Sequence, residues 1–202
     1  SGIDSSTVID GFTIQNGTGY GTSSNSGGGI YCNAASPSLK NLNIINNSGL
    51  NGAGIVCENA SPNIVGVTIS ENSAQLLGGG LLITGNSNPY LYSVTITYNS
   101  SADGAGVGIY ASSPNFQTVL LSNNNASSTG GGIWMNTGTP ILTDVIIQNN
   151  EAVNGGGMYF YNNSNPTLTD VTISDNIAES GGGIYAILST MKASNVEINN
   201  IQ

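Results

Sequence analysis

Histidine and arginine are absent from this 202-residue chain, and lysine occurs twice, at Lys40 and Lys192. Each absence removes a class of chemistry. Without histidine there is no imidazole to ligate a metal or to act as the base of a Ser-His-Asp arrangement. With no arginine, two lysines and a formal net charge of −9, the chain has little to neutralise phosphates or anionic headgroups, so nucleic acid and acidic membrane surfaces are poor partner candidates. No apolar run approaches the ~20 residues a membrane-spanning helix needs, so no membrane insertion of this segment is expected. Ser1 to Ser6 lack the charged and apolar regions of a signal peptide. No cofactor and no metal are expected. Two cysteines, Cys32 and Cys57, do not fix a redox compartment.

What the chain has in abundance is glycine, 29 residues, and it is periodic. A triplet, relaxed twice to Gly-Ala-Gly, runs into an apolar residue with first glycines at 27, 52, 78, 104, 130, 155 and 181, a spacing of 25 or 26 residues. That period is the signature of a solenoid, a quasi-one-dimensional stack in which each unit touches its neighbours. One domain over residues 1–202 is therefore expected. The regular apolar pattern argues against a disordered, glycine-rich linker.

Two elements per unit are legible. After the glycines, alternation puts Ile30, Ile55, Leu81, Val107, Ile133, Met158 and Ile184 on one face. Cys32, Cys57, Ile83, Ile109, Met135, Phe160 and Ala186 follow two residues on. That face reads as core. Further along, sets such as Leu39/Leu42/Ile44, Phe116/Val119/Leu121 and Leu168/Val171/Ile173 share one spacing and read as short strands. A proline column, Pro37, Pro62, Pro89, Pro114, Pro140 and Pro166, marks one corner, each proline preceded by Ser, Asn or Thr. An asparagine column, Asn47, Asn72, Asn99, Asn124, Asn150 and Asn176, marks another. Asparagine tolerates a left-handed bend, and stacked amides can hydrogen-bond from copy to copy.

Leu39-x-x-Leu42-x-Ile44-x-x-Asn47 also satisfies the first half of a leucine-rich repeat. The second half decides against it. A helix should follow there, whereas the return path is glycine-broken and then alternating. The expected fold is all-β, a right-handed parallel β-helix of seven to eight coils. The ends depart from the repeat: Thr7 to Asn16 lacks a preceding glycine strand, and Thr190 to Gln202 replaces the proline and the corner asparagine. No amphipathic capping helix covers either end, so a fragment of a longer chain, prone to end-to-end self-association, is expected.

The glycine phrases and the Ile44-x-x-Asn47 and Ile69-x-x-Asn72 steps resemble the repeats of secreted bacterial β-helix proteins and of chlamydial polymorphic outer-membrane proteins. Those carry Gly-Gly-Ala-Ile and Phe-x-x-Asn motifs, with aliphatics replacing Phe here. The resemblance covers nearly the whole chain and implies an extracellular or cell-surface location. It specifies fold better than activity, since such families include adhesins, surface passengers and carbohydrate-active enzymes. A polysaccharide lyase of this class would carry an arginine or lysine base, often beside calcium, which this chain does not match.

Paired carboxylates remain. Asp144 and Asp170 share a repeat position on neighbouring coils, but Asn41, Gly66, Ser93, Thr118 and Asn195 fill the same column, so it reads as a tolerant solvated position. Cys32 and Cys57 also share a position, compatible with a disulfide or with two packed thiols. The outward position after each glycine phrase holds Tyr31, Val56, Leu82, Gly108, Trp134, Tyr159 and Tyr185, flanked two residues later by Tyr110 and Tyr161. Tyr110, Trp134, Tyr159, Tyr161 and Tyr185 form the candidate ligand-binding face, suited to a glycan or a cell-surface partner. A threonine column, with Thr68, Thr95 and Thr172, resembles an ice-binding array, broken by Leu120, Ile146 and Glu197. The expected function is a non-catalytic surface or adhesin segment, with polysaccharide binding or processing second and ice binding third. Circular dichroism should show almost no helix; a substantial helical signal would revive the leucine-rich repeat.

Overall fold

The computed structural model describes residues 3–19, 27–199 and 201. Ser1, Gly2, Asn200 and Gln202, which fall in the terminal segments considered above, lie outside them. The described residues form 25 strands and no helix, in sheets of eleven, seven and seven strands in which every pairing is parallel. Each coil therefore contributes to three sheets rather than the two that the sequence displays. At a rung spacing of ~4.8 Å, seven to eight coils stack to a rod ~35 Å long.

The glycine sheet runs from Ile30–Asn33 through Ile133–Gly138 to Ile184–Ile187. Past the proline corner, strands such as Asn115–Ser122, Ile141–Gln148 and Thr167–Ser174 make the long sheet. The third, short sheet holds Thr18–Gly19, Ser48–Asn51, Ser73–Leu77, Ser100–Asp103, Asn125–Thr129, Glu151–Asn154 and Ile177–Ser180. Its inward side chains are small, with Ala74, Ser101, Ala126 and Ala152 buried, so it shows no apolar period. It forms because rungs above and below accept its backbone hydrogen bonds.

Each coil bends at left-handed residues, and these explain the spacing of the core. Asn41, Gly66, Ser93, Thr118, Asp144, Asp170 and Asn195 all have φ between 49° and 63°. A left-handed residue in mid-strand places two consecutive side chains outward and resets the alternation. Leu39, Leu42 and Ile44 thereby all point inward at three- and two-residue intervals, each essentially buried. The column is thus fixed by backbone conformation, which Asn, Asp and Gly accept most readily, and not by tolerance of solvent alone. In the first coils the same bend divides the strand, as in Ser38–Lys40 and Asn43–Ile45.

The asparagine column lies beside a bend rather than in it. The left-handed residues are its predecessors, Asn46, Glu71, Tyr98, Asn123, Asn149 and Asp175. The column itself is buried and forms a ladder along the rod. Asn99 is typical: its backbone N–H and its Nδ2 both donate to Asn124 Oδ1 at 3.0 Å, and Nδ2 donates also to Ile69 O at 3.0 Å. Its own Oδ1 accepts the corresponding pair from Asn72. Every polar atom of a buried amide is then satisfied, which removes the cost of taking it out of water.

The third glycine of each triplet makes room for that ladder. A Cβ on Gly80 would lie 2.7 Å from Gly106 O and 3.0 Å from Asn99 Nδ2. A second, exposed ladder follows the residues before proline: Ser61 N donates to Ser36 Oγ, Asn88 N to Ser61 Oγ, and Ser113 N to Asn88 Oδ1.

The interior between the sheets is one apolar stack containing the expected inward residues, with Phe116 and Phe160 its largest members. The exceptions sit on terminal rungs of the glycine sheet, where a neighbouring coil covers one side: Ile30 and Ile184 are half-buried and Ala186 is exposed. The expected departures are also found. Val8–Asp10 and Thr13–Gln15 open the long sheet, Gly17 N takes the place of an asparagine in donating to Asn47 Oδ1, and Lys192–Asn199 closes that sheet. Asn99→Ala takes from the interior the acceptor of Asn72 N and the side-chain donor to Ile69 O, and should lower stability by about 3 kcal/mol. Gly80→Ala should cost about 2 kcal/mol by overpacking, whereas Ala105→Gly, at the middle position, should cost under about 1 kcal/mol. Urea titrations of the three variants rank them.

Candidate binding face

In the glycine sheet, alternation sends Ile133, Met135, Met158 and Phe160 inward and Trp134, Tyr159, Tyr161 and Tyr185 outward. The register stacks Gly108, Trp134, Tyr159 and Tyr185 as one column, and Tyr110, Asn136, Tyr161 and Ile187 as the next. All five candidate residues are therefore brought to one face. Its upstream part is different. Val56 and Leu82, expected outside, are 0 % and 2 % exposed, and Gly108 is buried.

The cause is the chain's approach to each triplet, which passes over the outer face of the sheet. A Cβ on Gly78 would stand 2.9 Å from Leu82 Cβ, and one on Gly108 would meet Leu77 Cδ1 at 2.8 Å. Leu77 thus occupies the space that a side chain at 108 would fill. The same contact recurs downstream, where a Cβ on Gly130, Gly155 or Gly181 would stand 2.8–3.0 Å from the Cβ of Trp134, Tyr159 or Tyr185. Those three aromatics are consequently half-buried, while Tyr110 at 49 % and Tyr161 at 39 % are exposed.

Tyr159 and Tyr185 stack with ring centroids 5.5 Å apart and planes inclined by 3°. At that separation the two faces overlap in an offset stack. Each ring therefore covers one face of the other. Burial, then Tyr185, Asp103 and Tyr161, raise the pKa of Tyr159. A phenol acting as a base needs the opposite shift. Asp103 is itself engaged, its Oδ1 accepting from Thr129 N at 3.0 Å and from Thr129 Oγ1 at 2.5 Å. At the far end of the face Tyr31 donates its hydroxyl to Glu58, and that bond raises its pKa.

The carboxylates of Asp144 and Asp170 occupy neighbouring rungs but bond away from each other. Asp144 accepts from Thr118 Oγ1 at 2.9 Å and Asp170 from Asn195 Nδ2 at 2.6 Å, both exposed. Among the described residues no group of three or more Cys, Asp or Glu is placed to hold a metal. Cys32 and Cys57 are rung partners, buried, and free thiols. The threonine column lies on the outer face of the long sheet, with Leu120 and Ile146 facing Thr95 and Thr172 along it.

Sequence reasoning passed over a second aromatic pair on that outer face. Tyr90 and Tyr92 stack at 6.3 Å and 12°, and Tyr90 donates its hydroxyl to Gln117 Oε1 at 2.7 Å. The signal was the alternation around buried Leu91.

Burial raises the Cys32 thiol to about 11 and Cys57 well above its ordinary value. Folding favours the protonated thiols, so their contribution is intact below the unfolded thiol pKa of about 8.5. It is lost as pH rises toward about 11. Unfolding midpoints should hold steady at neutral pH and fall through this alkaline window, and Cys32→Ala/Cys57→Ala should flatten the fall. Both thiols should also resist alkylation at neutral pH until the chain unfolds.

No helix of the described residues is long and apolar enough to cross a membrane. No curated protein matches the chain. Residues 170–187 match the Chlamydia polymorphic membrane protein repeat, a stretch that runs from the Asp170 bend through Asn176 to the Tyr185 rung. Residues 2–150 match the family described as right handed beta helix region, and with most of its length so matched the chain belongs to that family.

Proposed function

We propose that this chain is a non-catalytic attachment segment carried outside the cell or on its surface, and that the outer face of the glycine sheet receives its partner. The observation that carries the reading is the patch itself: Trp134, Tyr159 and Tyr185 stand on successive rungs, with Tyr110 and Tyr161 in the adjoining column. A half-buried aromatic strip is pre-ordered, so a partner covers it at little cost in side-chain entropy. The match to a polymorphic membrane protein repeat supports the location.

The overlapping rings of Tyr159 and Tyr185 take one face of each out of reach of a sugar, which favours a protein partner on this face. Polysaccharide processing is the second reading. Asp144 and Asp170 are its only stacked carboxylates among the described residues, and each is committed to another neighbour. Ice binding is third, given the interruptions at Leu120, Ile146 and Glu197.

Replacing Trp134, Tyr159 and Tyr185 with serine keeps the Cβ atoms on which the glycines pack, so the fold should persist by circular dichroism. Attachment to host-cell or bacterial surface extracts in a pull-down should fall at least about ten-fold. Unchanged attachment by the triple variant would place the contact elsewhere. No polysaccharide in a reducing-end assay should be turned over, and activity abolished by Asp144→Asn or Asp170→Asn would overturn the non-catalytic reading.

A further inference from the structure

The proline corner is uneven. From the inward residue of the glycine strand to the proline, the path Ile83 to Pro89 is one residue longer than Ile109 to Pro114. The extra residue is taken up by consecutive left-handed residues, Gly85 and Asn86. The coil at Ala111 is flanked by this longer corner at Asn86 on one side and, on the other, by Thr137, whose corner is as short as its own. The resulting notch has a volume of about 430 Å³, with Ala111 and Ser112 as floor and Asn86, Asn88, Ser113 and Thr137 among its walls.

The floor and one wall are fixed. Ser112 Oγ donates to Tyr110 O at 3.0 Å and accepts from Ser87 N at 3.1 Å. Asn88 Oδ1 accepts from Ser113 N at 2.8 Å, and its Nδ2 donates to Asn86 O at 3.2 Å. Thr137 Oγ1 donates to Asn162 O at 3.0 Å. The Asn86 side-chain amide, by contrast, has no hydrogen bond among the described residues and can exchange its waters for a ligand. Immediately before Ala111, Tyr110 is 49 % exposed, and its rung neighbour Asn136 carries no ring to cover it.

The chemistry of this lining is narrow. No wall or floor residue is ionisable, so neither a metal ion nor an anion is served, and both lysines lie on the long sheet. Amides and hydroxyls recognise a neutral polyol, and the exposed Tyr110, next in the chain to the floor residue Ala111, adds an aromatic ring outside the lining. The volume lies at the small end of ligand sites, enough for about one or two sugar rings. We infer that the notch is a binding subsite for an uncharged pyranose unit, a hexose or N-acetylhexosamine, with Tyr110 as the ring platform at its edge. It shares Tyr110 with the margin of the aromatic face but does not depend on Trp134, Tyr159 or Tyr185.

The test is saturation-transfer NMR and titration with cellohexaose, chitohexaose and mannohexaose, with hexagalacturonate and a heparin hexasaccharide as charged probes. At least one neutral oligosaccharide should bind at millimolar concentration or below, with an affinity unchanged across neutral and mildly acidic pH, and the charged probes should not. The variant Asn86→Gly/Thr137→Gly removes the two rim groups, and glycine adopts φ of 59° and 63° without strain. It should weaken binding about ten-fold. Tyr110→Ser should weaken it by a similar factor, while the Trp134/Tyr159/Tyr185 triple variant should bind as the parent does. Absence of binding by every neutral probe, preference for a charged one, or unaltered affinity in the double glycine variant overturns the inference. Loss confined to the triple variant overturns it too, and assigns the sugar to the aromatic face.

Discussion

Coil-to-coil hydrogen bonding in fixed register is the constraint on which every other feature depends, and the buried asparagine ladder is where it is strictest. Each amide must find the next at a separation of one coil, with its backbone N–H and side chain converging on a single Oδ1. The sequence separations along the ladder are nonetheless 25, 27, 25, 26 and 26 residues. Extra residues are therefore expelled from the asparagine ladder and the apolar columns, to the proline corner, as at Gly85 and Asn86, and to the short sheet, as near Leu76 and Leu77, where its register shifts. The apolar columns stay aligned because the insertions never enter them.

That division explains which parts of the architecture could be read in advance. Columns with a single chemical demand repeat one residue type, so Pro37 to Pro166, Asn47 to Asn176 and the inward aliphatics were legible as soon as the period was seen. Columns with a conformational demand repeat a tolerance instead. Asn41, Gly66, Ser93, Thr118 and Asp144 share a positive φ but no side-chain chemistry, and they look like neutral surface. The short sheet was missed for a related reason: its inward residues are small and its strands are held by backbone bonds, which leave no hydrophobic alternation to detect. The left-handed bend was assigned to the asparagine column and falls one residue earlier, since a bend and the buried amide beside it have the same apparent place in a repeat.

The candidate face was legible as a column but not as a surface. Alternation correctly sent Val56, Leu82 and Trp134 to the same side, yet exposure there is decided by a segment of the preceding sheet that crosses over the glycine strands. Leu77 fills the space above Gly108, so a position read as an empty link in the column is occupied from another strand. No periodicity carries that information, because it is a packing contact between elements whose sequence order does not mark them as neighbours.

A solenoid also limits where recognition can reside. When one rung repeats the next, side chains of the same kind stack on each other, as Tyr159 stacks on Tyr185 and Asn99 bonds to Asn124. Each then takes up part of what its neighbour could offer a ligand. Groups free to bind accumulate where the column breaks: an exposed Tyr110 beside Asn136, or Ala111 between Asn86 and Thr137. The uniformity that makes the rod stable and the insertion beside the notch at Ala111 are consequently placed in different columns.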